Sequence, residues 1–132
     1  MINIVIDTNV IVSAALSPNG NPAKVIALIS CMEELQVFYS SAILSEYKRV
    51  LAYKRLNINT ELQDIIINTL QKFGILIEPP ISTMPMADET DRMFYDTARA
   101  SSSILITGNL KHYPVEPFIM TAAEFIEKVT TT

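Results

Sequence analysis

The chain has 132 residues, 49% of them hydrophobic, and a formal net charge of −4 from 14 acidic and 10 basic side chains. That size suits one domain with a well-filled core, and the acidic balance excludes a protein that holds nucleic acid chiefly by a basic surface, though not a nuclease whose gathered carboxylates carry divalent cations. A lone cysteine excludes an internal disulfide, and the lack of a long apolar run or of a basic, cleavable start predicts a cytoplasmic protein that does not span a membrane.

Residues 2–6 are apolar and rich in β-branched side chains, the pattern of a strand covered on both faces and so central in its sheet. The run stops at Asp7-Thr8-Asn9. Val10, Ile11, Ala14, Ala15 and Leu16 predict a short helix, broken at Ser17-Pro18-Asn19-Gly20. Asn21-Pro22 reads as the N-cap and first position of a second helix with Val25, Ile26, Leu28, Ile29 and Met32 on its buried face. Cys31, set among them, is expected to be an ordinary buried thiol with no catalytic role. Residues 36–39 give a second strand. Ser40-Ser41 can cap a third helix reaching about Lys54, with Ile43, Leu44, Tyr47, Val50 and Leu51 at helical spacing. A fourth helix is predicted from Thr60, where Thr60 and Gln63 fit a capping box, to Gly74. Residues 75–77 read as a third strand, and Pro79, Pro80 and Pro85 make an irregular connection. A fifth helix spans about 88–101, strands follow at 104–107 and 118–120, and Thr121 with Glu124 forms a capping box opening the last helix.

Strands alternating with helices imply right-handed crossovers and a mainly parallel sheet between two helical layers, an α/β/α sandwich. With no repeat or linker visible, residues 1–132 are expected to form a single domain. In such a sheet the functional crevice lies beyond the carboxyl ends of the strands, where strand order reverses.

The chemically able residues fall at those ends. Asp7 ends the first strand, although an Asp there can equally cap the next helix. Glu46 has Ala42, Ile43, Val50 and Tyr53 as helical neighbours. A carboxylate on that flank needs an ion-pair partner or a cation. Asp91 precedes Phe94, Tyr95 and Ala98 by three, four and seven residues and so faces inward, with Asp88 as N-cap and Asp91 as its N3 partner the alternative. Asp88 and Glu89 read as more exposed supporting charges. Asp96 stands four residues after Arg92 and three before Arg99, which predicts a solvent-facing ion pair. His112 is the only histidine, so no Ser-His-Asp scheme is available, and its loop setting suggests substrate contact or a structural role. Without a thiolate or imidazole cluster, any metal site must be built of hard oxygen donors, which suits Mg2+ or Mn2+.

The segments Asp7-Thr8-Asn9-Val10, Ser45-Glu46-Tyr47, Asp91-Arg92-Met93-Phe94 with Ala98, and Ile106-Thr107-Gly108-Asn109 occur in the order and register of the PIN-domain pattern. The chain resembles the branch of that family described as toxin components of bacterial toxin–antitoxin pairs, also in Leu105-Ile106-Thr107-Gly108-Asn109-Leu110-Lys111-His112-Tyr113-Pro114. The resemblance implies a PIN-like fold, Mg2+- or Mn2+-dependent ribonuclease activity, and Asp7, Glu46 and Asp91 as the acidic core. Thr8, Asn9, Thr107, Asn109 and Asp88 would support it. Many PIN nucleases carry a further acid where this chain has Asn109, which lowers the site's negative charge and puts a second metal in question.

The expected chemistry is attack of a metal-activated water on a phosphodiester. Lys48, Arg49, Lys54, Arg55, Lys111 and His112 are candidate RNA contacts, though any one of them taken singly reads better as a solvated charge. A rival reading is a PIN-like module that binds RNA or a protein without cutting. A phosphatase using Asp7 as nucleophile ranks below both, because Asn9 stands where its second Asp belongs. The apolar excess, with Met84, Met86 and Ile67 expected on the surface, predicts a homodimer or an antitoxin-bound complex.

Overall fold

The computed structural model describes residues 1–131. In chain order its elements are β1 (Ile2–Ile6), α1 (Thr8–Leu16), α2 (Asn21–Cys31), β2 (Leu35–Tyr39), α3 (Ser41–Leu51), α4 (Thr60–Phe73), β3 (Ile75–Leu76), α5 (Arg92–Ser101), β4 (Ile104–Ile106), β5 (Ile119–Met120) and α6 (Ala122–Thr130). Short 3-10 turns at Lys54–Leu56, Glu89–Asp91 and Leu110–His112 join them. The five strands pair in the order β3-β2-β1-β4-β5, every pair parallel. Helices cover the sheet on both faces, giving the expected three-layer α/β/α sandwich.

The centre of the sheet follows from its sequence. Ile4, Val5 and Ile6 have no exposure, and Leu105 and Ile106 of β4 beside them have none either. Such continuous apolar runs are stable only when both faces are covered. Tyr47, Phe94, Tyr95 and Phe125 complete the core from α3, α5 and α6. Because all strands run one way, the residues that follow them share one edge: Asp7 after β1, Ser40 after β2, Thr107 after β4 and Thr121 after β5. Strand order turns back between β1 and β4, where Asp7 N–H donates to the Ile106 carbonyl at 2.9 Å. The crevice of a parallel sheet is expected there.

Several local expectations are corrected. The cap of α2 is Gly20 rather than Asn21, which places Pro22 at the second helical position. The Thr60–Gln63 capping box does not form: Asn59 caps α4 through the Glu61 N–H at 2.7 Å, and the Gln63 amide donates to the Ile58 carbonyl. The Asn59 side-chain oxygen, one residue earlier, takes the free N–H of Glu61, so the helix begins with Thr60 inside it. Helix α3 ends at Leu51, and the predicted extension to Lys54 is a 3-10 turn closed by Asn57 in the left-handed region. Cys31 is exposed, since it ends α2 outside the stripe formed by Val25 and Ile29. Ile67 is buried, and Met84 and Met86 pack against the core. Exposed apolar side chains instead include Ile65, Ile75, Leu76, Ile81 and Val115. Gly74, the C-cap of α4, lies at φ −92°. Its requirement is one of space, because a Cβ would stand 2.3 Å from the Leu70 carbonyl oxygen and 2.6 Å from the Tyr39 ring.

Candidate metal centre

Asp7 is 5% exposed and is positioned twice over. Its backbone places it where β1 leaves the sheet, and its carboxylate caps α1, Oδ1 accepting from the Asn9 N–H at 3.4 Å. Oδ2 accepts from the Thr107 hydroxyl at 2.9 Å and from the Tyr113 phenol at 2.7 Å. The Asn109 N–H donates in turn to Thr107 Oγ1 at 3.0 Å, and Asn9 Oδ1 accepts from the Gly108 N–H at 2.9 Å. The turn after β4 is thereby fastened to the start of α1.

Glu46 projects from the first half of α3, its side chain 19% exposed. The Thr8 hydroxyl donates to its Oε2, and Arg49 lies 3.5 Å from Oε1. Through Thr8, Glu46 is joined to the residue that follows Asp7. The neighbouring Tyr47 is fully buried and donates to the Ile6 carbonyl, fixing α3 against the end of β1. Burial, then the charges of Asp7 and Glu46, hold the Tyr47 phenol well above its ordinary range.

Asp91 is the last residue of the 3-10 turn before α5, its side chain 13% exposed. The alternative reading, in which it partners Asp88 in a cap, does not hold. Asp88 caps the turn alone through the Thr90 N–H at 2.9 Å, and Asp91 makes no capping hydrogen bond. Its buried Oδ2 has no hydrogen-bond partner, and His112 Nδ1 lies 3.3 Å away without the alignment of a hydrogen bond. Asp91 is pushed up from 3.8 to about 6, first by burial, then by the charges of Asp7 and Asp88 and more weakly Glu46, with His112 pulling the other way. Three acids distant in sequence thus act on one another electrostatically.

This donor set fits a hard divalent cation. All three groups offer carboxylate oxygens, one buried oxygen lacks a donor, and burial, followed by the neighbouring carboxylates, raises a pKa that a bound cation would lower. The fit is open rather than closed: among the described residues no three His, Cys, Asp or Glu side chains stand together as a ready-made ligand group. Thr8, Arg49, Thr107, Tyr113 and His112 attend the three carboxylates instead.

The remaining candidates divide. Asn109 turns its amide toward His112 Nε2 at 2.9 Å. Arg49 is exposed beside Glu46, and Lys111 and His112 are exposed on the turn that follows Asn109. Lys48 is exposed on α3. Lys54 and Arg55 follow the far end of an 11-residue helix, roughly 15 Å along its axis from the strand ends, so they are not brought to this edge. Asp96 is not a solvent-facing ion pair: it is 6% exposed and accepts from the Ser82 N–H at 3.0 Å, tethering the proline-rich connection to α5. Arg92 pairs with Glu89 at 2.7 Å and Arg99 with Glu116 at 3.5 Å. Sequence reasoning missed Tyr113 and Tyr47. Tyr47 had a signal, lying beside Glu46 in a helical stripe, but Tyr113 is separated from Asp7 by 106 positions and its loop carries no periodicity.

A family model described as PIN domain matches residues 3–111. An uncharacterized protein of Methanocaldococcus jannaschii, MJ1680, is 36% identical over 112 residues, covering 82% of this chain and 71% of that protein. Among solved structures, a chain in the crystal structure of VapBC2 from Rickettsia felis bound to a DNA fragment from their promoter superposes with a TM-score of 0.58. The identity is 14%, and the match covers 91% of this chain and 97% of that one.

Proposed function

The chain belongs to the PIN-domain family, and from that premise we propose that it is an endoribonuclease that hydrolyses RNA phosphodiester bonds with Mg2+ or Mn2+. The observation that carries the reading is Asp91, a largely buried carboxylate with a partnerless oxygen, raised to about 6 in the field of Asp7 and Glu46. A group held in that state is the mark of a functional site more than of a structural ion pair. Asp7, Glu46 and Asp91 would hold the cation. When bound it would activate a water and neutralise the charge developing on the phosphate.

The chain's own residues prepare the site. Thr107 and Tyr113 donate to one oxygen of Asp7, which fixes its orientation. Thr8 does the same for Glu46. Arg49, exposed, hydrogen-bonded to the Tyr53 hydroxyl at 2.6 Å and loosely paired with Glu46, would have to leave Tyr53 to meet a phosphate oxygen, and Lys48, Lys111 and His112 offer further contacts at or near this edge. Incubating the purified protein with mixed RNAs in Mg2+, Mn2+ or chelator tests the proposal. Cleavage only with metal, lost in Asp7→Asn, is expected, and metal-independent or absent cleavage contradicts it.

A second reading is a PIN module that binds RNA or a protein without cutting. Asn109 favours it, because a neutral amide engaged with His112 stands where a further acid is common. Titrating Mn2+ in the same assay separates the two. The likeness to a chain of a VapBC2 assembly supports a biological role as the toxin of a cytoplasmic toxin–antitoxin pair, with an antitoxin protein as partner. Homodimer formation would use Ile65, Ile75, Leu76 and Ile81 rather than the methionines, since those side chains are exposed. Among the described residues no helix is long and apolar enough to cross a membrane.

A further inference from the structure

We infer that the turn after β4 is a clamp that orients two of the three acids for one cation, with Tyr113 acting on Asp7 and His112 acting on Asp91. The inference rests on the metal-site reading above and assigns positioning roles to two residues outside the acidic core. Tyr113 Oη stands 2.7 Å from Asp7 Oδ2, and His112 Nδ1 stands 3.3 Å from Asp91 Oδ2. Two successive residues of one turn therefore reach acids that lie 84 positions apart in the chain, 7 and 91.

In each case the contact falls on a single oxygen. Both side-chain donors to Asp7 meet Oδ2, leaving Oδ1 with only the long contact from the Asn9 N–H. His112 covers Oδ2 of Asp91, and that oxygen is the one shut off from solvent. Oδ1 of Asp7 is thereby left freer than Oδ2, while Oδ2 of Asp91 has His112 beside it but no hydrogen bond. Asp7, held by two donors on one oxygen, and Asp91, with the His112 imidazole 3.3 Å from one oxygen, lose rotational freedom before the ion arrives, and such outer contacts commonly decide metal affinity.

The turn is itself held rigid. Asn109 N–H bonds to Thr107 Oγ1, and the Asn109 amide lies 2.9 Å from His112 Nε2. An amide N–H there leaves Nε2 as acceptor and puts the imidazole proton on Nδ1, facing the Asp91 carboxylate. In this account Asn109 orients His112 and is not itself a ligand. Tyr113 is 6% exposed, and its buried ring holds the phenol against Asp7.

A purely structural reading makes Tyr113 a core side chain whose hydroxyl found a partner, and His112 a loop side chain. Tyr113→Phe keeps the ring and removes only the donor, and His112→Ala alters a half-exposed side chain outside the core. Mn2+ affinity is to be measured by calorimetry on the full chain at one fixed alkaline pH, without RNA, for wild type, Tyr113→Phe, His112→Ala and His112→Gln. The clamp predicts a roughly 10–100-fold weaker Kd for Tyr113→Phe and His112→Ala, with most of the affinity regained in His112→Gln, which restores an N–H donor. If wild type binds Mn2+ and both deletions weaken it less than tenfold, the clamp is overturned while the metal site stands. If wild type binds no Mn2+, the metal-site reading fails and the clamp falls with it.

Discussion

Replacing Asp91 by Asn should stabilise the metal-free protein at neutral pH, the opposite of what removing a structural charge does. Asp91 sits at about 6 in the folded chain against an ordinary 3.8, a difference of about 2 pH units. At about 1.4 kcal/mol per unit, ionising it in the folded state costs up to roughly 3 kcal/mol. Its side chain is 13% exposed, and partial screening by solvent brings the figure nearer 1–2 kcal/mol. The folded value lies above the unfolded one, so the favourable contribution is complete below about pH 4 and is lost as pH rises through about 6. Asparagine cannot ionise, and no capping hydrogen bond disappears with the carboxylate. Thermal unfolding in chelator should therefore show Asp91→Asn melting higher than wild type at pH 7.5, at roughly 4 °C per kcal/mol, with the gap closing near pH 4. A lower melting temperature at pH 7.5 would make Asp91 a structural partner of His112 and refute the argument.

Asp7→Asn should reduce RNA cleavage to background while the far-ultraviolet circular dichroism stays unchanged, since an amide can still accept from Thr107 and Tyr113. Gly74→Ala should cost about 2–3 kcal/mol in urea unfolding, because its Cβ would meet the Leu70 carbonyl and the Tyr39 ring. Thr121→Ala removes one side of the capping box of α6 and should cost about 1 kcal/mol, read in the same assay. Asp96→Ala should destabilise by about 1–2 kcal/mol by freeing the Ser82 N–H, and should leave Mn2+ affinity unaltered.

The fold was legible wherever burial imposes a period or a run. Residues 2–6 could only be a doubly covered strand, and Ile43, Tyr47 and Leu51 could only face a core from a helix. Caps were legible where both halves lie in sequence, as in Thr121 and Glu124, and misread where the helix begins one residue early, at Gly20 with no capping side chain and at Asn59 with one. The proline-rich connection defeated periodic reasoning: Asp96 looked like a surface charge because its partner, the Ser82 N–H, belongs to a segment without a pattern. For the same reason Tyr113 was not visible as a partner of Asp7, whereas the acids announced themselves by standing at strand ends and on inward helical flanks. Exposure at Cys31 and burial at Ile67 followed from details of helix phase at an end and in a groove that composition does not encode.

The claim that Asp7, Glu46 and Asp91 form one cation site is tested most directly by anomalous scattering from crystals of the wild-type protein soaked in Mn2+. The account predicts a peak within about 2.0–2.4 Å of a carboxylate oxygen from each of the three residues, at the carboxyl edge between β1 and β4. A peak elsewhere on the protein, with none among these three side chains, would contradict it.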